Sequence, residues 1–96
     1  MELSLSVQRA LLGQVPPSLR FIRASISSET LRFVAVLDEQ ATENHIDALS
    51  CAVAEVVSDF PNIALDESIE INPEASWKHP EDCELMYLRY GELSEI

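Results

Sequence analysis

The sequence predicts an α+β fold: a two-layer sandwich in αββαββ order, with an antiparallel four-stranded sheet and two helices on one of its faces. Two stretches place apolar residues at helical spacing: Leu3, Val7, Ala10 and Leu11, then Ile46, Leu49, Val53, Val56, Val57 and Phe60. Other stretches alternate with period two or run apolar over strand length. Connections short enough for hairpins favour antiparallel pairing, and two helices with one apolar stripe each need a sheet face to cover.

The first helix stops at Gly13, and Pro16-Pro17 forbid its continuation. "SLRFIRASIS" reads as a strand in which Ile22, Ala24 and Ile26 alternate with Arg23, Ser25 and Ser27. "SSET" is a short turn without the Asn-Gly signature of the tightest hairpins. "LRFVAVLD" is apolar on both faces, which places it inside the sheet. Thr42 is the expected N-cap of the second helix, and Pro61 ends it. In "IALDESIEI" the row Ile63, Leu65, Ile69 and Ile71 opposes Asp66, Ser68 and Glu70. Glu67 interrupts the apolar row, as a frayed, twisted or edge strand allows. A polar loop covers Asn72 to Cys83, "ELMYLRYG" is the last strand, and "ELSEI" a short tail.

The 96 residues make one domain, 1–96, and their 47% hydrophobic content excludes a disordered acidic tail. The net charge of −11 is unevenly placed: residues 1–37 carry +2 and residues 38–96 carry −13. That field repels phosphate backbones and anionic lipid and speeds encounter with basic proteins, although acidity also serves solubility alone. Nucleic acid and membrane are therefore not expected partners. There is no apolar run of membrane-spanning length and no basic, compactly apolar signal-peptide start. Two cysteines without close spacing fit a reducing compartment, so the expected location is the cytoplasm.

Signatures of catalysis are missing. Two glycines, Gly13 and Gly91, cannot make a phosphate-cradling loop, and neither G-x-S-x-G nor HExxH occurs. His45, Cys51, His79 and Cys83 lack the paired spacing of structural zinc; ordinary packing for Cys51 and a loop position for Cys83 is the expected reading, with no metal and no cofactor. His45, His79 and Lys78 resemble a nuclease-like acid–base set, but an RNA phosphate would meet the acidic half-chain. Carboxylate pairs abound by chance and do not specify glycosidase chemistry.

The remaining constellation is an acidic surface with an aromatic in it. Residues 66–84 hold Asp66, Glu67, Glu70, Glu74, Glu81, Asp82 and Glu84 against Lys78 alone, with the chain's only tryptophan, Trp77, among them. Carboxylates suit lysine and arginine, and an indole can anchor an interface or stack on guanidinium. The alternatives are a solvated acidic face, Trp77 folded back over the sheet, and cross-strand ion pairs of Arg23 and Arg32 with Asp66 or Glu70.

"RALLGQVPPSLRFI", "AEVVSDFP" and "YLRYGE" resemble a group of small acidic bacterial proteins of similar length. In them a helix ending ALLG-x-V leads through proline to an LR strand, a second helix ends in DFP, and a closing strand carries an aromatic and Arg before Glu. Some members resemble immunity proteins of contact-dependent growth inhibition and other polymorphic toxin systems. The resemblance spans nearly the whole chain and transfers no binding residues. This chain departs from the pattern at Ala54, where threonine is expected, and in a longer loop around Trp77. It implies a non-catalytic immunity protein that neutralises a basic, nuclease-type toxin domain. Asp66, Glu70, Glu74, Trp77, Glu81 and Asp82 are the candidate contact residues. Two readings stand beside it. One is a self-associating structural or adaptor protein: the second strand is apolar on both faces, as is the last with Met86, Leu88 and Tyr90 opposite Leu85 and Tyr87, so a sheet face bare of helices would pair two copies. The other is a small hydrolase using His45 or His79.

Overall fold

Helix α1 (Leu3–Leu11) begins where the Glu2 carboxylate accepts the Leu5 N–H and ends at Gly13, whose φ of +76° suits a residue without Cβ. The computed structural model, which describes residues 2–13, 15–76, 83–89 and 92, continues with β1 (Leu19–Ser27), β2 (Thr30–Leu37), α2 (Glu43–Ser58), β3 (Ala64–Ile71) and β4 (Glu84–Leu88). Thr42 caps α2 as its sequence position predicts, accepting the His45 N–H at 3.2 Å. His45 returns the bond: its Nδ1 accepts the Thr42 N–H at 3.3 Å. The ring proton is therefore on Nε2, and the buried Ser18 hydroxyl donates to the same Nδ1 at 2.8 Å. The first candidate catalytic histidine is occupied in closing a helix end.

The sheet order is β3-β2-β1-β4. β1 pairs antiparallel with β2 on one side and β4 on the other, but β3 pairs parallel with β2. The sheet is mixed, which corrects the expected antiparallel arrangement. The reason lies in α2. It carries the chain back along the sheet between β2 and β3, so β3 must start beside the start of β2. The Ala64 N–H donating to Glu29 O at 2.9 Å fixes that start. β3 and β4 then lie at opposite edges of the sheet, so they do not form a hairpin with each other.

Leu31, Phe33, Ala35 and Leu37 of β2 and Leu19, Ile22 and Ala24 of β1 share one face and are fully buried against Val7, Ala10 and Leu11 of α1 and Leu49, Ala52, Val53 and Val56 of α2. Leu19 and Ile22 reach the same face because a bulge at Arg20 resets the strand's period. The two helices are joined at their ends by Asp59, which accepts from the Ser6 hydroxyl at 2.6 Å and from Arg9 at 2.7 and 2.9 Å.

The β1–β2 turn is tighter than its composition suggests. Ser28 and Glu29 alone connect the strands, at φ of +52° and +60°, the geometry of a type I′ turn. Neither side chain favours the left-handed region. Replacing Ser28-Glu29 by Asn-Gly is expected to raise the unfolding free energy by about 1–2 kcal/mol, read as a higher urea midpoint at unchanged slope.

Candidate partner-binding surface

The helix-free face of the sheet is built from the other strand parity. Phe21 lies beside Val36, Arg23 beside Val34 and Ser25 beside Arg32, and Asp66, Ser68 and Glu70 of β3 continue the rows. Described residues at either end of the β3–β4 connection cover part of this face. Ala75, Ser76 and Cys83 line, with Phe21, Val36 and Glu70, a depression of about 330 Å³. Phe21 and Val36 retain only 4% and 2% exposure although no helix covers them. Cys83 is held there from two sides: its carbonyl accepts from Arg23 Nη1 at 3.1 Å, and its Sγ meets Ser25 Oγ at 3.3 Å. Cys83 thus keeps its loop position, just before β4, but is buried there, whereas Cys51 on α2 is exposed and does not pack as expected.

Two bulges and a charged cluster secure the lower end of this face. Arg20, displaced from the β1–β2 ladder, turns its guanidinium to Glu92 with bonds of 2.8 and 3.1 Å and to Asn72 O at 3.0 Å. Arg89 bridges Asp38 at 2.7 Å and Glu92 at 2.9 Å, and its backbone N–H donates to Arg20 O. The Arg20 and Glu92 side chains keep only 7% and 10% of their exposure. Their neighbours hold the carboxyls below the usual range: Arg20 first, then Arg89, for Glu92, and Arg89 for Asp38. The cluster ties the end of β4 and the exit of β3 to the bulge in β1. Sequence reading missed it. The signal was the arginine in "SLRF", at a position whose neighbours are all buried.

The acids behave differently along β3. Every residue of the strand is exposed except Ile69, which is half-buried. Asp66 pairs loosely with Arg32 at 3.6 Å, both side chains open to solvent, which stabilises by well under 1 kcal/mol. Glu67 and Glu70 have no cationic partner among the described residues. Glu74 follows in a turn held by its own N–H to the Asn72 side chain, and its carboxylate is exposed. The structure therefore places Asp66 and Glu70 on one face of an edge strand with Glu74 just beyond it. Trp77, Glu81 and Asp82, and likewise His79, lie outside the described residues. Among the described residues no group of His, Cys, Asp or Glu side chains is arranged to hold a metal, and no helix is long and apolar enough to cross a membrane.

The family model described as MafI2 immunity protein matches residues 1–91. The chain belongs to this family. A MafI2 immunity protein has an immunity role, which implies a toxin as its partner and fits a non-catalytic surface. Comparison with curated proteins gives no match. In this MafI2 member the resemblance to immunity proteins that its sequence shows is therefore supported along nearly the whole chain.

Stability should report on the Arg20–Glu92 cluster. Glu92→Ala removes the two-point partner of an enclosed guanidinium and is expected to cost about 3 kcal/mol in urea unfolding. Because the Glu92 and Asp38 carboxyls titrate lower when folded, their contribution is complete above the ordinary values of 4.5 and 3.8 and disappears as pH falls through the folded ones. The wild-type protein is expected to lose stability below about pH 4.5, and Glu92→Ala to lose less over that window. An equal acid loss in both proteins would assign the effect to other groups.

Proposed function

We propose that this protein neutralises a basic toxin domain, of nuclease type, by covering it with the acidic edge of its sheet, in the cytoplasm and without catalysis. The observation that carries the proposal is β3. It presents Asp66, Glu67 and Glu70 to solvent, and among the described residues only Asp66 meets a cation, weakly. Charges that a fold does not need for its own stability are free to serve a partner. A nuclease must hold a polyanion, so its substrate-binding surface is cationic, and a row of carboxylates is complementary to it. Glu74 extends the row, and Trp77, Glu81 and Asp82 follow in the same connection, where an aromatic anchor beside charged groups suits an interface centre and rim.

Dimerisation through the helix-free face has less to recommend it. Of the apolar groups on that face, Phe21 and Val36 are already enclosed, which leaves Leu85 as the one large exposed apolar side chain among the described residues.

The test is binding to the toxin domain encoded by the adjacent gene. Asp66→Lys with Glu70→Lys is expected to weaken binding at least about tenfold, mostly through a slower association rate, with the fold unchanged by circular dichroism. The wild-type association rate is expected to fall as salt rises from about 0.05 to 0.5 M. An adjacent gene product that is harmless when expressed alone, or an association rate indifferent to salt, would reject the proposal.

A further inference from the structure

The rows on β3 say how a partner would attach. The N–H groups of Ala64 and Asn72 both donate toward β2, to Glu29 O and Leu37 O. Residues of that parity, including Asp66, Ser68 and Glu70, spend their backbone groups on the ladder with β2. Leu65, Glu67, Ile69 and Ile71 therefore direct their N–H and C=O groups to the outer edge, where no strand lies among the described residues. The side chains agree. Leu65 and Ile71 project to the helix side of the sheet, yet keep 43% and 52% exposure, and among the described residues no strand lies beyond β3 to close over them.

An open edge with a half-covered apolar row invites its own kind, but charge opposes that here. In an antiparallel pairing of two copies about Ser68, Asp66 of each would face Glu70 of the other, at the close spacing of a non-hydrogen-bonded pair. The same carboxylates would attract a strand of opposite sign. Resting on the immunity reading above, we propose that β3 extends its sheet by one strand taken from the toxin domain. That strand carries lysine or arginine opposite Asp66 and Glu70 and apolar side chains opposite Leu65, Ile69 and Ile71. Backbone bonds to the outer-edge groups supply attachment, and the alternation of side chains supplies register.

The experiment is amide hydrogen exchange, residue by residue, on the full chain alone and saturated with the toxin domain encoded beside its gene. In the free protein the outward amides of Leu65, Glu67, Ile69 and Ile71 exchange fast while those of Asp66, Ser68 and Glu70 are protected. In the complex the outward set is expected to slow at least about tenfold. Glu67→Pro places a ring at an outward N–H, where an edge strand tolerates it, and is expected to weaken binding at least about tenfold, with Glu67→Gln within about threefold of wild type. A complex that forms with the outward amides unchanged overturns strand addition and leaves the immunity reading standing. Equal affinity of folded Glu67→Pro and wild type does the same. Failure of any adjacent toxin domain to bind overturns both.

Discussion

The parallel pairing of β3 with β2 is the constraint on which the rest of the structure depends. Once α2 has carried the chain back to the start of β2, β3 can lie only at an edge, and β4 must reach the far side of β1. With that separation Ala75, Ser76 and Cys83 lie beside Phe21 and Val36 on the helix-free face, and the acids of β3 are left exposed. Had β3 and β4 formed a hairpin, the carboxylates of β3 would have lain beside those of Glu84's strand, and the acidic row would have been divided between ladder and solvent.

The charge division along the chain follows the same geometry. The slightly basic first part builds α1 and the two central strands, where all its arginines but Arg32 are engaged within the fold. Arg20 goes to Glu92, Arg9 to Asp59, and Arg23 to the Cys83 carbonyl. The acidic second part supplies the helix α2 and both edges. Some of its carboxylates, Asp38, Asp59 and Glu92, are drawn into bonds that hold elements together. Among the described residues, those on β3 meet only one exposed arginine, Arg32. Structural and surplus acids are thus distinguished by what lies within hydrogen-bond distance, which composition cannot reveal.

Much of the local structure was legible in the sequence, because it is governed by near neighbours. Helical spacing marked both helices, Thr42 and Pro61 marked the bounds of α2, and the doubly apolar "LRFVAVLD" identified an interior strand. Glu67 in an apolar row left a frayed, twisted or edge strand open, and β3 lies at an edge. Strand direction was not legible in the same way. The antiparallel reading rested on consecutive strands being neighbours, although a connection from Asn72 to Cys83 is far longer than the roughly 2–5 residues of most hairpin loops. The bulge at Arg20 was invisible because strict alternation put Arg20 in register with Ile22, and a two-residue turn of Ser28-Glu29 carries none of the residues that such turns favour. Of the candidate contacts, sequence position alone grouped Asp66, Ser68 and Glu70, since strand parity is local, whereas the partner of Arg20 lies at the other end of the chain.

The bond from Ala64 to Glu29 O has a bearing on the order in which the molecule comes together. The β1–β2 hairpin closes over two residues, so it can form early and alone, whereas β3 must wait until α2 has formed and returned to meet the turn's carbonyl. The acidic edge is therefore a late product of folding. A newly made chain cannot display that edge in register before its apolar scaffold is in place, so under the proposed function a partner bound there would also mark a finished scaffold.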